Sequence, residues 1–248
     1  MDSIFIILIL LISMFFMFIL FTIFCSIAVD TNKEYCKDSK LYRFLLNTWT
    51  GIVFPFTRIK LVTLGLENIP TDCNFLLVGN HRSNFDPIIT WYILRKYPIA
   101  FVSKEENFHV PIFGRIVRKC CFMPIDRVNP RNAMNTINRA AELLNSSNLS
   151  VGIYPEGTRN KTQEPLLPFH NGVFTIAKKA NVPIVVVTLK NTDKISKNFP
   201  FHSTKVLFEV SDVIPAEFVA ASRTAQIGER VEKSILKSLD FKEDCKVN

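Results

Sequence analysis

His81 and Asp86, five residues apart in Gly79-Asn80-His81-Arg82-Ser83-Asn84-Phe85-Asp86-Pro87, are of types that suit proton transfer. An imidazole titrates close to neutrality, so it can take a proton from a hydroxyl there. A carboxylate bonded to its other ring nitrogen would fix the tautomer and stabilise the imidazolium that forms. Each residue also has a structural reading. Asp86 before Pro87 makes a good N-cap and N1 pair for a helix, and His81 could be a loop histidine bonding backbone. A serine hydrolase would need a nucleophile beside the histidine. Ser83 is near in sequence, but the chain has no Gly-x-Ser-x-Gly elbow. If His81 is a base, the nucleophile arrives with the substrate.

A second constellation is Pro155-Glu156-Gly157-Thr158-Arg159-Asn160. Its plain reading is a polar turn built on Pro and Gly. As a site it offers a flexible backbone at Gly157, a hydroxyl at Thr158 and, at Arg159, a planar guanidinium that matches phosphate oxygens. Between the two motifs lie Lys104 and the stretch from Phe113-Gly114-Arg115 to Ile125-Asp126-Arg127. Lone cations are usually solvated surface; these follow or flank expected strands. The six cysteines (Cys25, Cys36, Cys73, Cys120, Cys121, Cys245) show no Cys-x-x-Cys and no histidine at ligand spacing, so no metal site is expected and the thiols read as reduced.

Both motifs need elements to carry them. Short apolar runs rich in β-branched and aromatic residues predict strands at Phe75–Val78, Ile99–Val102, Phe122–Ile125, Ser150–Tyr154, Pro183–Leu189 and Val206–Val210. Amphipathic stretches between them predict helices at Pro87–Arg95, Ile112–Lys119, Arg131–Leu144, Gly172–Ala180 and Arg223–Leu239. This alternation specifies an α/β fold, a central mostly parallel sheet flanked by helices. Reactive loops in such sheets sit at the carboxyl ends of the strands, where both motifs fall.

Ahead of this domain, Ile4–Val29 carries no charge, enough for roughly 39 Å of helix. A bilayer core needs about 20 such residues. A signal peptide would have a shorter apolar run behind a basic start, so an N-terminal membrane helix is expected. Lys33, Lys37, Lys40, Arg43, Arg58 and Lys60, against Glu34 and Asp38, keep the body on the cytoplasmic face by the positive-inside rule and suit anionic lipid. Leu41–Leu64 mixes these bases with apolar residues and reads as interfacial, with Trp49 near the headgroups. The expected organisation is a membrane-anchoring helix over 1–30, a basic, amphipathic interfacial segment over 31–64 and an α/β domain over 65–248. The chain has a net charge of +8 and 22 Phe among its 248 residues. Its basic balance raises nucleic acid as a partner, but no basic helix, zinc-finger spacing or ribonucleoprotein motif supports one.

Asn-His-Arg-Ser-Asn-Phe-Asp, the Phe113–Arg127 block, Tyr-Pro-Glu-Gly-Thr-Arg and Val182-Pro183-Ile184-Val185 resemble, in order and spacing, the four blocks of the glycerolipid acyltransferases, most closely the 1-acyl-glycerol-3-phosphate acyltransferases. The resemblance covers roughly residues 60–215. It implies acyl transfer from acyl-CoA or acyl carrier protein, a co-substrate with no other cofactor, to the sn-2 hydroxyl of lysophosphatidic acid, giving phosphatidic acid at a membrane. By the same resemblance His81 is the general base and Asp86 its orienting partner. Glu156, Gly157, Thr158 and Arg159 bind the glycerol phosphate, Lys104 contacts phosphate and Arg127 closes the second block. Two departures concern the acceptor more than the reaction: His170 and Asn171 stand where the family has a basic residue before a glycine, and Val186 and Val187 where it has a second proline. The alternatives are another lysophospholipid or a lyso-amino-lipid as acceptor, a membrane lipid hydrolase, and a non-enzymatic lipid-binding membrane protein.

Overall fold

Strands whose side chains are apolar in both directions can be stable only between two layers of helices, and that is how the chain folds. The computed structural model describes residues 2–240. In chain order the elements are α1 (Asp2–Ile27), α2 (Lys40–Val53), β1 (Ile59–Leu64), β2 (Leu76–Gly79), α3 (Phe85–Ile93), β3 (Ile99–Lys104), α4 (Phe113–Lys119), β4 (Met123–Ile125), α5 (Pro130–Ser146) and β5 (Ser150–Ile153). There follow α6 (Thr175–Ala180), β6 (Ile184–Lys190), α7 (Ile195–Asn198), β7 (Thr204–Ile214), α8 (Ala216–Ala221) and α9 (Thr224–Asp240). The seven strands form one sheet in the order β1-β7-β6-β2-β5-β3-β4. Every neighbouring pair is parallel except β6 and β7. The expected mostly parallel sheet is therefore present, with β1 and β7 running against the other five.

Alternation along the strands divides the core in two. Leu76, Val78, Val151, Ile153, Ile184 and Val186 point to the layer that holds α5, α6 and α9. Phe75, Leu77, Phe101, Val185 and Val187 point to the layer that holds α2, α3 and α4. The helices start where local chemistry allows. Asn129 caps α5 by accepting from the backbone N–H of Arg131 at 3.0 Å, and Pro130 occupies the first turn, where its missing N–H costs nothing. Helix α9 buries Ile227, Val231 and Ile235, four residues apart on one face.

The N-terminal quarter differs from the sequence reading in two respects. β1, placed by that reading within the interfacial segment, pairs in register with β7 from Ile59↔Thr204 to Leu64↔Glu209. Helix α2 buries Tyr42, Leu45 and Leu46 in the second core layer while Leu41 and Phe44 stay exposed. A β-edge and a half-buried helix both read as mixed apolar and basic sequence, which is why composition could not separate them from a lipid-facing segment. Helix α1 is long and apolar enough to cross a membrane, and its window of highest hydropathy is not buried against the body.

Candidate active site

β2, β5, β3 and β4 are adjacent and parallel, so the loops leaving their carboxyl ends share one edge of the sheet. His81 follows β2, Glu156–Arg159 follow β5, Lys104 ends β3 and Arg127 follows β4. At about 4.8 Å per strand these loops span only about 14 Å. Residues scattered over nearly eighty positions of sequence thus line one row.

The His81 loop folds back on Asp86. Asp86 Oδ2 accepts from the backbone N–H groups of Arg82 and Ser83, each at 2.7 Å, and lies 2.8 Å from His81 Nδ1. Asp86 is not the helix cap that its structural reading offered. Asn84 is the N-cap residue and Asp86 lies one residue into α3, its carboxylate turned towards the preceding loop. The pair is sheltered, with side chains 16% exposed at His81 and fully buried at Asp86. With Nδ1 engaged, Nε2 is the outward nitrogen and has no partner among the described residues. Ser83 is buried and its Oγ accepts from the backbone N–H of Phe85 at 3.2 Å, so it is placed as a loop brace and not as a nucleophile.

Glu156 lies beneath this loop. Its Oε1 accepts from the backbone N–H of His81 at 2.6 Å and its Oε2 from that of Leu167 at 2.9 Å. Burial pushes its carboxyl pKa up, opposed by those two N–H groups and by His81. This buried carboxylate braces the two motif loops against each other, a different position from the ligand contact implied by the family resemblance. Gly157 has φ +67°, in the left-handed region, and an added Cβ would come 2.8 Å from the His170 ring. Both constraints select glycine there. Thr158 is exposed, and the half-buried Arg159 guanidinium has no hydrogen-bond or ion-pair partner among the described residues. Lys104 is exposed. Arg127 is partly desolvated, which lowers its pKa, while the nearby Glu106 works in the opposite direction.

Four residues quoted in the motifs turn out to have positions their spacing did not disclose. The Tyr154 ring stacks on His81 with centroids 4.5 Å apart and planes at 20°, and its hydroxyl lies 3.3 Å from Thr90 Oγ1. Burial, and then the charge of Asp86, hold its phenol well above the usual range. Asn80 ties the end of β2 to β6, donating to Leu189 O at 2.9 Å and accepting from Leu189 N at 2.8 Å. The Asn160 backbone N–H donates to His81 O at 2.7 Å, and Arg82 donates to Glu164 O and Thr162 O. A strand-to-loop alternation places Tyr154 one residue past β5, which is the only signal that could have pointed to the stacking. Among the described residues no group of three or more His, Cys, Asp or Glu side chains is placed to hold a metal ion. Cys245 lies outside the described residues.

A sheltered histidine paired with a carboxylate and an uncommitted guanidinium follow adjacent strands on the carboxyl edge of a mostly parallel sheet, an α/β protein whose edge carries groups of the types suited to proton transfer and to holding an anion. The chain belongs to the acyltransferase family, whose model matches residues 60–190. It is 33% identical over 171 residues to a 1-acyl-sn-glycerol-3-phosphate acyltransferase of Haemophilus influenzae, covering 67% of this chain and 68% of that protein. It is 35% identical over 158 residues to a chloroplastic 1-acyl-sn-glycerol-3-phosphate acyltransferase of Brassica napus, and 37% identical over 158 residues to one of Arabidopsis thaliana. These matches cover 63% of the chain but only 44% and 43% of the two plant proteins. The fold is that of the crystal structure of the 1-acyl-sn-glycerophosphate acyltransferase PlsC from Thermotoga maritima, with a TM-score of 0.70 at 22% identity over 92% of this chain and 89% of that one.

Proposed function

We propose that the chain transfers a fatty acyl group from a thioester, acyl-CoA or acyl carrier protein, to the sn-2 hydroxyl of lysophosphatidic acid, giving phosphatidic acid. The observation that carries this reading is the His81–Asp86 pair with Nε2 left outward. His81 Nε2 takes the acceptor's hydroxyl proton as the oxygen attacks the thioester carbonyl carbon, and the carbonyl electrons move onto its oxygen. When the tetrahedral intermediate collapses, the C–S bond breaks and the imidazolium returns the proton to the departing sulfur, so His81 ends as it began. Asp86 orients the ring and compensates its transient charge. Arg159, with Lys104 and Arg127 further along the edge, attracts the acceptor phosphate and the anionic donor. Much of the rate comes from holding two substrates in line. Helix α1 anchors the body to the membrane, and the lysines that follow it support a cytoplasmic placement.

The test follows thiol release by the detergent-solubilised chain given lysophosphatidic acid and each acyl thioester. His81→Ala is expected to abolish release, and Arg159→Ala to raise the acceptor KM while leaving the donor KM in place. Release unchanged in His81→Ala overturns the assignment of the base. Equal rates across acceptors that differ only in headgroup would replace the phosphate-specific reading, and fatty acid release without a donor would mark a hydrolase.

A further inference from the structure

Helices α1 and α2 form an antiparallel pair whose register is fixed at both ends. The Tyr42 hydroxyl donates to Cys25 O at 2.7 Å, while Trp49 Nε1 donates to Thr22 Oγ1 at 3.1 Å and its ring packs on Phe15 and Phe18. The end of α2 therefore lies beside the middle of α1. Residues 3–14 of α1 run on past it, all exposed. The level at which α1 leaves the body is marked by the end of α2 and the turn after it, where Val53 and Phe56 are 53% and 74% exposed.

A distant segment meets that turn. The Thr204 N–H donates to Arg58 O at 3.1 Å, and Thr204 stands opposite Ile59 in the sheet. The loop before Thr204 is cinched at its base, Asn198 Nδ2 donating to Thr204 Oγ1 at 2.9 Å and the His202 N–H to Asn198 O at 2.7 Å. Its tip holds Phe199 and Phe201 outward, 49% and 80% exposed. Arg58, Lys60, Lys194 and Lys197, all exposed, flank these aromatics. Because β6 runs parallel to β2 and β7 returns antiparallel, this loop lies on the same edge of the sheet as His81 and Arg159.

We propose that Phe56, Phe199 and Phe201 form a second lipid contact, seated in the headgroup layer of an anionic bilayer at the level where α1 leaves the body. Exposed aromatics gathered at one end of the β1–β7 pair mark an interaction surface, and aromatics flanked by Lys and Arg are the composition of a membrane interface. Phe56 follows the end of α2 that packs on α1 through Trp49, and the proposal rests on reading α1 as a membrane helix. A single helix leaves the body free to swivel about its axis. A second contact removes that freedom and turns the sheet edge bearing His81 towards the lipid that supplies its acceptor.

The test uses Phe201→Trp in the full chain, reconstituted into vesicles of phosphatidylcholine and phosphatidylglycerol whose acyl chains are brominated near the headgroups. Trp49, packed against α1, is the internal reference; the parent chain's emission holds Trp49 and the buried Trp91, and Trp49→Phe in the parent chain isolates the Trp49 share. The added emission is expected at shorter wavelength than for a water-exposed indole and should lose most of its intensity to the bromines. The loss should be greater than in pure phosphatidylcholine. Quenching of Trp49 with Trp at 201 unquenched overturns the patch and leaves the α1 reading standing; quenching of neither overturns both. Equal loss in neutral vesicles removes the role given to the cations. An emission shift that follows protein concentration and not lipid assigns the surface to a second copy of the chain, against the proposal. Phe56→Trp supplies the same reading if Phe201→Trp does not fold.

Discussion

Asp86 engages its neighbours through Oδ2 alone; Oδ1 is buried and has no hydrogen-bond partner among the described residues. Asp86→Asn can therefore keep an oxygen on the His81 side and place its amide where Oδ1 was, removing charge with little change of shape. On the proposed mechanism kcat should fall by about 10²- to 10⁴-fold with the melting temperature nearly kept. Steady-state thiol release and a thermal melt check this together, and a full-rate Asp86→Asn would reduce the aspartate to a loop brace. Tyr154 gives a second separation. Tyr154→Phe keeps the ring on His81 and should retain most of the rate, whereas Tyr154→Leu should lower kcat about tenfold by releasing the imidazole from its stacked orientation. The same loss in both variants would credit the hydroxyl bond to Thr90 and not the ring.

Among the ties between the loops that follow β2 and β5, one runs through a buried carboxylate, Glu156. Glu156→Gln replaces an oxygen that accepts a backbone N–H with an amide that cannot, so either His81 N–H or Leu167 N–H loses its partner. The expected cost is about 1–3 kcal/mol, measured by chemical unfolding in detergent. The pH dependence has a definite sign. Burial raises the folded-state pKa of Glu156, so the native state holds its proton more tightly than the unfolded chain. The stability of the parent over Glu156→Gln should be greatest below the ordinary glutamate value of about 4.3, and should decline as pH rises through the raised folded value. A difference that grows with pH would mean that the two N–H bonds outweigh desolvation.

Across the whole molecule, charge and apolar surface are segregated. The first 32 residues hold Asp2 and Asp30 as their only charges, so all 30 Lys and Arg follow α1 in the chain. A basic body held at a lipid surface should gather an anionic lysolipid and an anionic donor by long-range attraction. Raising ionic strength from 0.01 to 0.15 M shortens the Debye length from about 30 to about 8 Å. The apparent KM for both substrates should rise over that range with kcat nearly constant. A KM indifferent to salt would confine recognition to short-range contacts such as that expected of Arg159.

Much of this was legible in the linear chain because it depends on local periodicity. Alternation between short apolar runs and amphipathic stretches is a property of neighbouring residues, and it located the α/β core and put both motifs at strand ends. The charge-free run at the N-terminus likewise declares itself by length. Pairing partners are not local. Nothing in Ile59–Leu64 says that it will lie beside Thr204–Glu209, and so the edge strand read as interfacial sequence. The division of work among the carboxylates was hidden for the same reason. Asp86 and Glu156 are both acidic residues of the motifs and each accepts two backbone N–H groups, yet only Asp86 also faces an imidazole, and burial with hydrogen-bond partners is fixed only when distant strands pack. Sequence determined which residues are available for chemistry and on which edge of the sheet they stand. Tertiary structure decided which of them touch, because contact distances of about 3 Å are set by the packing of segments that the sequence keeps far apart.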